Sequence, residues 1–165
     1  MLYTVTFSSN LGTLVAFNSN ITLAGYATFV NNTPSHTSTV SDGFQKGGAI
    51  TLFQSNIFFD GVCNLEHNHA ENGGAIHSTE SKIYVNGNVT IAHNTAAGNG
   101  GGVYLESTSE LNCQQGSTFV LYNNTALSKG GGLHAIGSSL KASSNLDYDG
   151  YYFGARIQFI NNKAK

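Results

Sequence analysis

Two short marks alternate along this chain at nearly constant spacing, and that repetition constrains the fold more than any other feature. One is a glycine cluster running into an aliphatic residue: Gly47-Gly48-Ala49-Ile50, Gly73-Gly74-Ala75-Ile76, Gly100-Gly101-Gly102-Val103 and Gly130-Gly131-Gly132-Leu133. The other is an apolar residue with Asn three places later: Phe7/Asn10, Phe29/Asn32, Leu65/Asn68, Ile91/Asn94, Leu121/Asn124 and Phe159/Asn162. From the first apolar residue after the glycines, the next strand begins seven positions on: Leu14 to Ile21, Ile50 to Ile57, Ile76 to Ile83, Leu133 to Leu140. Only Val103 to Leu111 takes eight, and the first repeat keeps the spacing although just Gly12 remains of its cluster. A fixed period is the signature of a stacked repeat, whose unit is too small to bury its apolar face alone and buries it against its neighbours.

Within each repeat the alternation has period two, as strands require. In the third repeat it divides into Ile76–Ser78, Ile83–Val85 and Val89–Ile91, and the inward positions of all repeats are apolar apart from Ser78. Helix is excluded because Gly or Asn interrupts every few residues. The fold expected is all-β: a right-handed parallel β-helix of about five coils, each of three short strands. At about 4.8 Å per coil, five coils make a rod of roughly 24 Å. Gly suits tight corners and close backbone approach. Asn32, Asn68, Asn94, Asn124 and Asn162 fall at one corner, where stacked amides are expected to bond to one another and to turn backbone as an asparagine ladder.

Composition excludes several functions. Charged residues are 10 % of the 165, with a formal net charge of −2, so no electrostatic case exists for nucleic acid. Apolar residues are frequent enough, at 40 %, to argue against disorder. No apolar run approaches the ~18 residues of a membrane helix, so direct insertion by this segment is not expected. The start, Met1-Leu-Tyr-Thr-Val-Thr, lacks the basic and apolar regions of a signal peptide. The repeat begins partway through a coil, at Phe7–Asn10, and stops at Asn162-Lys163-Ala164-Lys165 where a glycine cluster would come next, so residues 1–165 are expected to be a single β-helix segment of a longer solenoid, stacked on neighbouring coils of that chain.

The outward positions carry little chemistry. The three files read Val15, Thr51, His77, Tyr104, His134; Thr22, Phe58, Tyr84, Asn112, Lys141; and Thr28, Asn64, Thr90, Val120, Gln158. None holds Asp or Glu, so the paired carboxylates of glycoside hydrolysis are missing and no catalytic residue is expected. No cofactor is expected. His77 and His134 lie two coils apart, beyond the reach of one metal, and His67 and His93 face each other across adjacent coils without a third ligand, so no metal is expected either. Cys63 and Cys113 occupy inward positions two coils apart and are expected to be buried free thiols.

Four sequons, at Asn20, Asn31, Asn88 and Asn123, would be glycan acceptors in a eukaryotic secretory protein. Two insertions, 33–46 and 143–153, break the rhythm and are expected to form loops at corners, where binding in solenoids commonly resides. The second contains Asp147, Tyr148, Asp149, Tyr151 and Tyr152, a set suited to a carbohydrate or protein contact.

Residues 47–50 and 73–76 match Gly-Gly-Ala followed by Ile, Leu or Val, and Phe7–Asn10, Phe29–Asn32 and Phe159–Asn162 match Phe-x-x-Asn. These marks resemble the repeats of the chlamydial polymorphic outer membrane proteins, and the other copies match with apolar substitutes. The resemblance implies a β-helical passenger exposed at a cell surface, of a kind that is often adhesive; with the missing carboxylates, the expectation is a non-catalytic module of a secreted or cell-surface protein, with a host or neighbouring cell-surface protein or glycan as partner. The competing expectation is a β-helix that binds or cleaves carbohydrate, in the manner of pectate lyases.

Overall fold

Short alternating segments separated by corner residues cannot extend into long strands, and the chain lays them down in a fixed order. The computed structural model describes residues 4–10, 14–34, 46–146 and 152–165. Strand β1 (Thr4–Ser8) precedes a first coil of β2 (Leu14–Phe17), β3 (Asn20–Leu23) and β4 (Tyr26–Val30). The second coil holds β5 (Ile50–Phe53), β6 (Asn56–Phe59), β7 (Val62–Glu66) and β8 (His69–Ala70). The third holds β9 (Ile76–Thr79), β10 (Lys82–Val85), β11 (Asn88–Ala92) and β12 (Thr95–Ala96). The fourth holds β13 (Val103–Glu106), β14 (Glu110–Cys113), β15 (Thr118–Tyr122) and β16 (Thr125–Ala126). The fifth holds β17 (Leu133–Ile136), β18 (Ser139–Ala142), the hairpin β19 (Ser144–Leu146) and β20 (Tyr152–Gly154), then β21 (Arg156–Ile160) and β22 (Lys163–Ala164).

Each strand pairs with its equivalent one coil away. The first sheet runs β2-β5-β9-β13-β17, the second β3-β6-β10-β14-β18, and the third β1-β4-β7-β11-β15-β21. All of these pairings are parallel, and equivalent residues meet: Ile57 with Ile83, Ile83 with Leu111, Leu111 with Leu140. This is a parallel β-helix. A fourth sheet, β8-β12-β16-β22, adds one strand to the three expected in each of the second to fifth coils. Two residues are too few to show a period, so alternation could not announce it; its alanines, Ala70, Ala96 and Ala126, are buried. Among the described residues the antiparallel pair is β19–β20, within the second insertion.

The inward residues form one continuous core. Ile57, Val85 and Leu111 are each 0 % exposed, and Phe29, Phe59 and Phe119 are its largest side chains. Ser78, the polar inward residue, is also fully buried and donates its hydroxyl to Ser109 Oγ of the next coil at 3.2 Å. Cys63 and Cys113 are free thiols within this core. Burial pushes Cys63 up to about 12 and Cys113 up to about 11, so both stay protonated and unreactive near neutrality. Native protein at pH 8 is expected to resist a thiol reagent such as an aromatic disulfide and to react at both cysteines once denaturant is added. Rapid labelling of the native protein would show that the core opens far more often than its packing implies.

The corners divide their work between glycine, left-handed as expected at the head of three clusters (Gly73, Gly100 and Gly130), and polar residues. Other left-handed turns fall on polar residues: Asn18, Gln54 and Glu80 between the first and second sheets, and Asn31, His67, His93, Asn123 and Asn161 after the third. Ser107 and Thr108 are both left-handed and supply the extra residue that lengthens Val103–Leu111 to eight. The middle glycine of a cluster is needed for space: a Cβ on Gly101 would be driven into the Gly131 carbonyl oxygen and the Thr125 carbonyl group of the next coil and the adjoining sheet.

Candidate functional site

Asn32, Asn68, Asn94, Asn124 and Asn162 stack at the corner between the third and fourth sheets, and Asn10 precedes them. Asn94 shows the pattern. Its Oδ1 accepts from the backbone N–H of Asn68 at 2.8 Å and from Asn68 Nδ2 at 3.0 Å. Its Nδ2 donates to Leu65 O in the coil before, at 2.9 Å, and to Asn124 Oδ1 in the coil after, at 3.0 Å. The same bonds repeat from Asn32 to Asn68 and from Asn124 to Asn162. Asn32, Asn68, Asn94 and Asn124 are at most 1 % exposed, so these amides do what water does elsewhere for corner backbone. The residue before each Asn is left-handed, which turns the next side chain in under the coil.

A second ladder, of serine, was not anticipated. Ser19, Ser55, Ser81, Ser109 and Ser138 occupy the corner between the first and second sheets. The backbone N–H of each of the first four donates to the hydroxyl of the next, at 3.0 to 3.2 Å. Ser19, Ser55, Ser81 and Ser138 return their hydroxyls to the carbonyl two residues earlier, and Ser109 to that of Glu106. The signal was present: each serine lies two residues before the first inward residue of the second-sheet strand.

On the outward face of the first sheet the sequence reading needs correction. Its strands extend past the apolar alternation by one outward residue, so Glu106 belongs to this face; Glu110 likewise opens a strand of the second sheet and Glu66 ends one of the third. The outward faces therefore do carry carboxylates. Nor is the face uniformly open: Thr51, His77 and Tyr104 are 4 %, 1 % and 8 % exposed. Thr51 Oγ1 accepts the backbone N–H groups of Lys46 and Gly47 at 3.2 and 2.9 Å. Glu106 Oε1 accepts from Thr79 Oγ1 at 2.9 Å, pairs with Lys46 Nζ at 3.3 Å, and lies 3.6 Å from His77 Nε2. Burial works against the Glu106 charge, but Thr79, His77 and Lys46 outweigh it and hold the carboxyl below its ordinary value. Burial lowers His77 to about 4, with Glu106 opposing and Lys46 reinforcing. Burial and the Glu106 carboxylate together raise the Tyr104 phenol. The Tyr104 ring lies between His77, at 4.9 Å, and His134, at 5.6 Å.

Elsewhere on the surface, side chains repeat in register. Phe58 stacks on Tyr84 at 4.7 Å and Phe17 on Phe53 at 5.1 Å. His67 and His93 stack at 5.0 Å, with Tyr122 edge-on to His93. Among the described residues, no group of three or more His, Cys, Asp or Glu is arranged to hold a metal ion. Lys141 Nζ pairs with Glu110 at 3.0 Å.

The sequons follow from the architecture. Asn31 and Asn123 fill the left-handed corner that precedes a ladder Asn, and Thr33 and Thr125 come next on the chain. Asn20 and Asn88 open strands in which an inward Ile or Val separates them from an outward Thr. Both are exposed, and Asn20 Oδ1 accepts from Asn56 Nδ2 at 2.8 Å. Of the loop set, Asp147, Tyr148, Asp149 and Tyr151 lie outside the described residues, and Tyr152 is placed only as the start of β20. Residues 35–45 of the first insertion also lie outside them.

Four stacked parallel sheets with ladders at two corners define the class, a β-helical repeat protein. Residues 88–106 match the family model of the Chlamydia polymorphic membrane protein repeat. That window runs from β11 through Asn94, β12 and the glycine cluster to the end of β13. It therefore contains one rung of the asparagine stack and one glycine approach between coils. Comparison with curated proteins and with solved structures gave no match.

Proposed function

We propose that this chain is a non-catalytic module of a secreted or cell-surface protein, and that its rod presents an adhesive face to a protein or glycan on a host or neighbouring cell. The observation that carries this reading is the surface-protein repeat at 88–106 lying in a coil stack whose outward side chains recur in register. Two hydrogen-bonded corners keep that surface rigid, so binding orders few groups and loses little entropy. The outward rings of Phe58 and Tyr84, with the Asn and Thr files beside them, combine apolar contact with hydrogen-bonding groups. Further coils of a longer chain fit the same reading, because Leu140 and Phe159 continue the inward files yet are 38 % and 51 % exposed.

A carbohydrate-binding or carbohydrate-cleaving β-helix is the second reading, favoured by Glu106 lying beside His77 and Tyr104 on one face. One experiment separates the two. The chain, immobilised on beads, is offered to cultured epithelial cells and, in parallel, to a panel of acidic and neutral polysaccharides. Saturable cell binding, competed by free chain, with no rise in reducing ends is the expected result. Release of reducing or unsaturated ends, lost in E106Q, would overturn the non-catalytic reading. Absence of cell binding would overturn the adhesive one.

A further inference from the structure

We propose that His77, Glu106 and Lys46 form an acid-sensitive tie across three successive coils, which holds the outward face of the first sheet closed around a neutral imidazole and loosens when that imidazole takes a proton. Lys46 enters the second coil, His77 stands on β9 in the third, and Glu106 ends β13 in the fourth. Their contacts meet at one carboxylate, which faces Lys46 Nζ, Thr79 Oγ1 and His77 Nε2.

The imidazole is poised by what it lacks. Nε2 lies 3.6 Å from the Glu106 carboxylate, and that negative charge favours the ring proton on Nε2 and the lone pair on Nδ1. Nδ1 is buried and has no hydrogen-bond partner. A proton added there would create an N–H with no acceptor, in a side chain 2 % exposed, which is costly. The charged and titratable groups facing the ring come from both neighbouring coils. Lys46 lies on one side, with the hydroxyl of Thr51 next to it in register. Tyr104 and Glu106 lie on the other, with His134 beyond Tyr104. Glu106 alone favours an imidazolium, and it is already shared with Lys46 and Thr79. A protonated ring therefore competes with Lys46 for one carboxylate, and the closed arrangement loses either the pair or the burial.

The direction with pH follows from linkage. A histidine freed from this site titrates near 6.5, whereas burial holds His77 at about 4. Between those values the opened form binds one more proton than the closed form. Opening is therefore favoured as pH falls, by up to about tenfold per pH unit, and the effect is absent above about pH 7.

Proton NMR of the His77 ring in the full chain tests the tie, together with hydrogen exchange of β9 and β13 corrected for intrinsic rates. A ring titration well below 5 is expected, with exchange protection of these strands falling on the order of tenfold per unit below pH 6.5. H77Q, checked by circular dichroism at pH 7, is expected to keep neutral protection and lose the acid response. Should H77Q not fold, the partners decide: E106Q should move the His77 midpoint down and K46M should move it up. Overturning results are a folded-state midpoint near 6.5, an unchanged acid response in folded H77Q, or partner variants that shift the midpoint together or not at all.

Discussion

Replacing Asn94 with alanine is expected to cost at least about 4 kcal/mol, from four side-chain hydrogen bonds at about 1 kcal/mol each. Those bonds join Asn94 to Asn68 N, Asn68 Nδ2, Leu65 O and Asn124 Oδ1. All four lie in a corner that is closed to water, so the groups left behind cannot recover partners from solvent, and the real loss exceeds the sum of the bonds. A domain of this size has roughly 5–15 kcal/mol in total, so N94A should be barely folded at room temperature. Asn94→Asp should do no better near neutrality: the carboxylate keeps the acceptor but places a second oxygen against Leu65 O and Asn124 Oδ1. Asn10→Ala serves as the control. Asn10 is exposed, and its side chain makes one of these bonds, to Asn32 Oδ1, so about 1 kcal/mol or less should be lost. Urea unfolding followed by circular dichroism measures both. If N94A proved as mild as N10A, the stacked amides would be packing residues and not the hydrogen-bonding partners of the corner.

Gly101→Ala is expected to be the next most damaging single change, at about 3 kcal/mol or more. The added methyl would meet backbone on two sides, the Gly131 carbonyl of the next coil and the Thr125 carbonyl of the adjoining fourth sheet. Neither can swing away as a side chain would; the coils must separate, and with them the Gly101–Gly130 and Gly102–Gly132 backbone bonds. Gly116→Ala supplies the comparison. Gly116 has φ of 77°, a conformation that penalises any L side chain by about 1–2 kcal/mol, but nothing lies within 4 Å of its would-be Cβ. G101A is thus expected to be worse than G116A, although Gly101 does not need a left-handed backbone. Thermal melts of the two variants check the order. The reverse order would mean that turn conformation, not close approach of coils, sets where glycine is required.

The repeat was legible because both of its marks are local. Gly-Gly clusters and apolar-x-x-Asn motifs kept phase over the chain, and period-two alternation assigned Ile57, Val85 and Leu111 to the axis, where they are buried. The serine stack was equally regular but carried no hydrophobic contrast, so alternation passed over it. The fourth sheet escaped because two-residue strands have no measurable period. Glu106 was missed for a related reason: apolar alternation marks where inward residues stop, not where backbone pairing stops, and β13 pairs with β17 through Glu106↔Ile136.

His77 marks the limit most clearly. Its position in the alternation assigns the side chain to the outward face, and the pleat puts it there. Burial on that face depends on Lys46 and Glu106, which are 31 and 29 residues away in the chain and meet one coil to either side. Local spacing thus determined that this polypeptide coils, which residues line its axis and which asparagines share a corner, since each depends on neighbours within one turn of chain. Which outward groups are shielded, which carboxylate serves which cation, and how many bonds each corner amide makes were decided only when successive coils came within about 4.8 Å of one another, because those contacts join residues a full repeat apart.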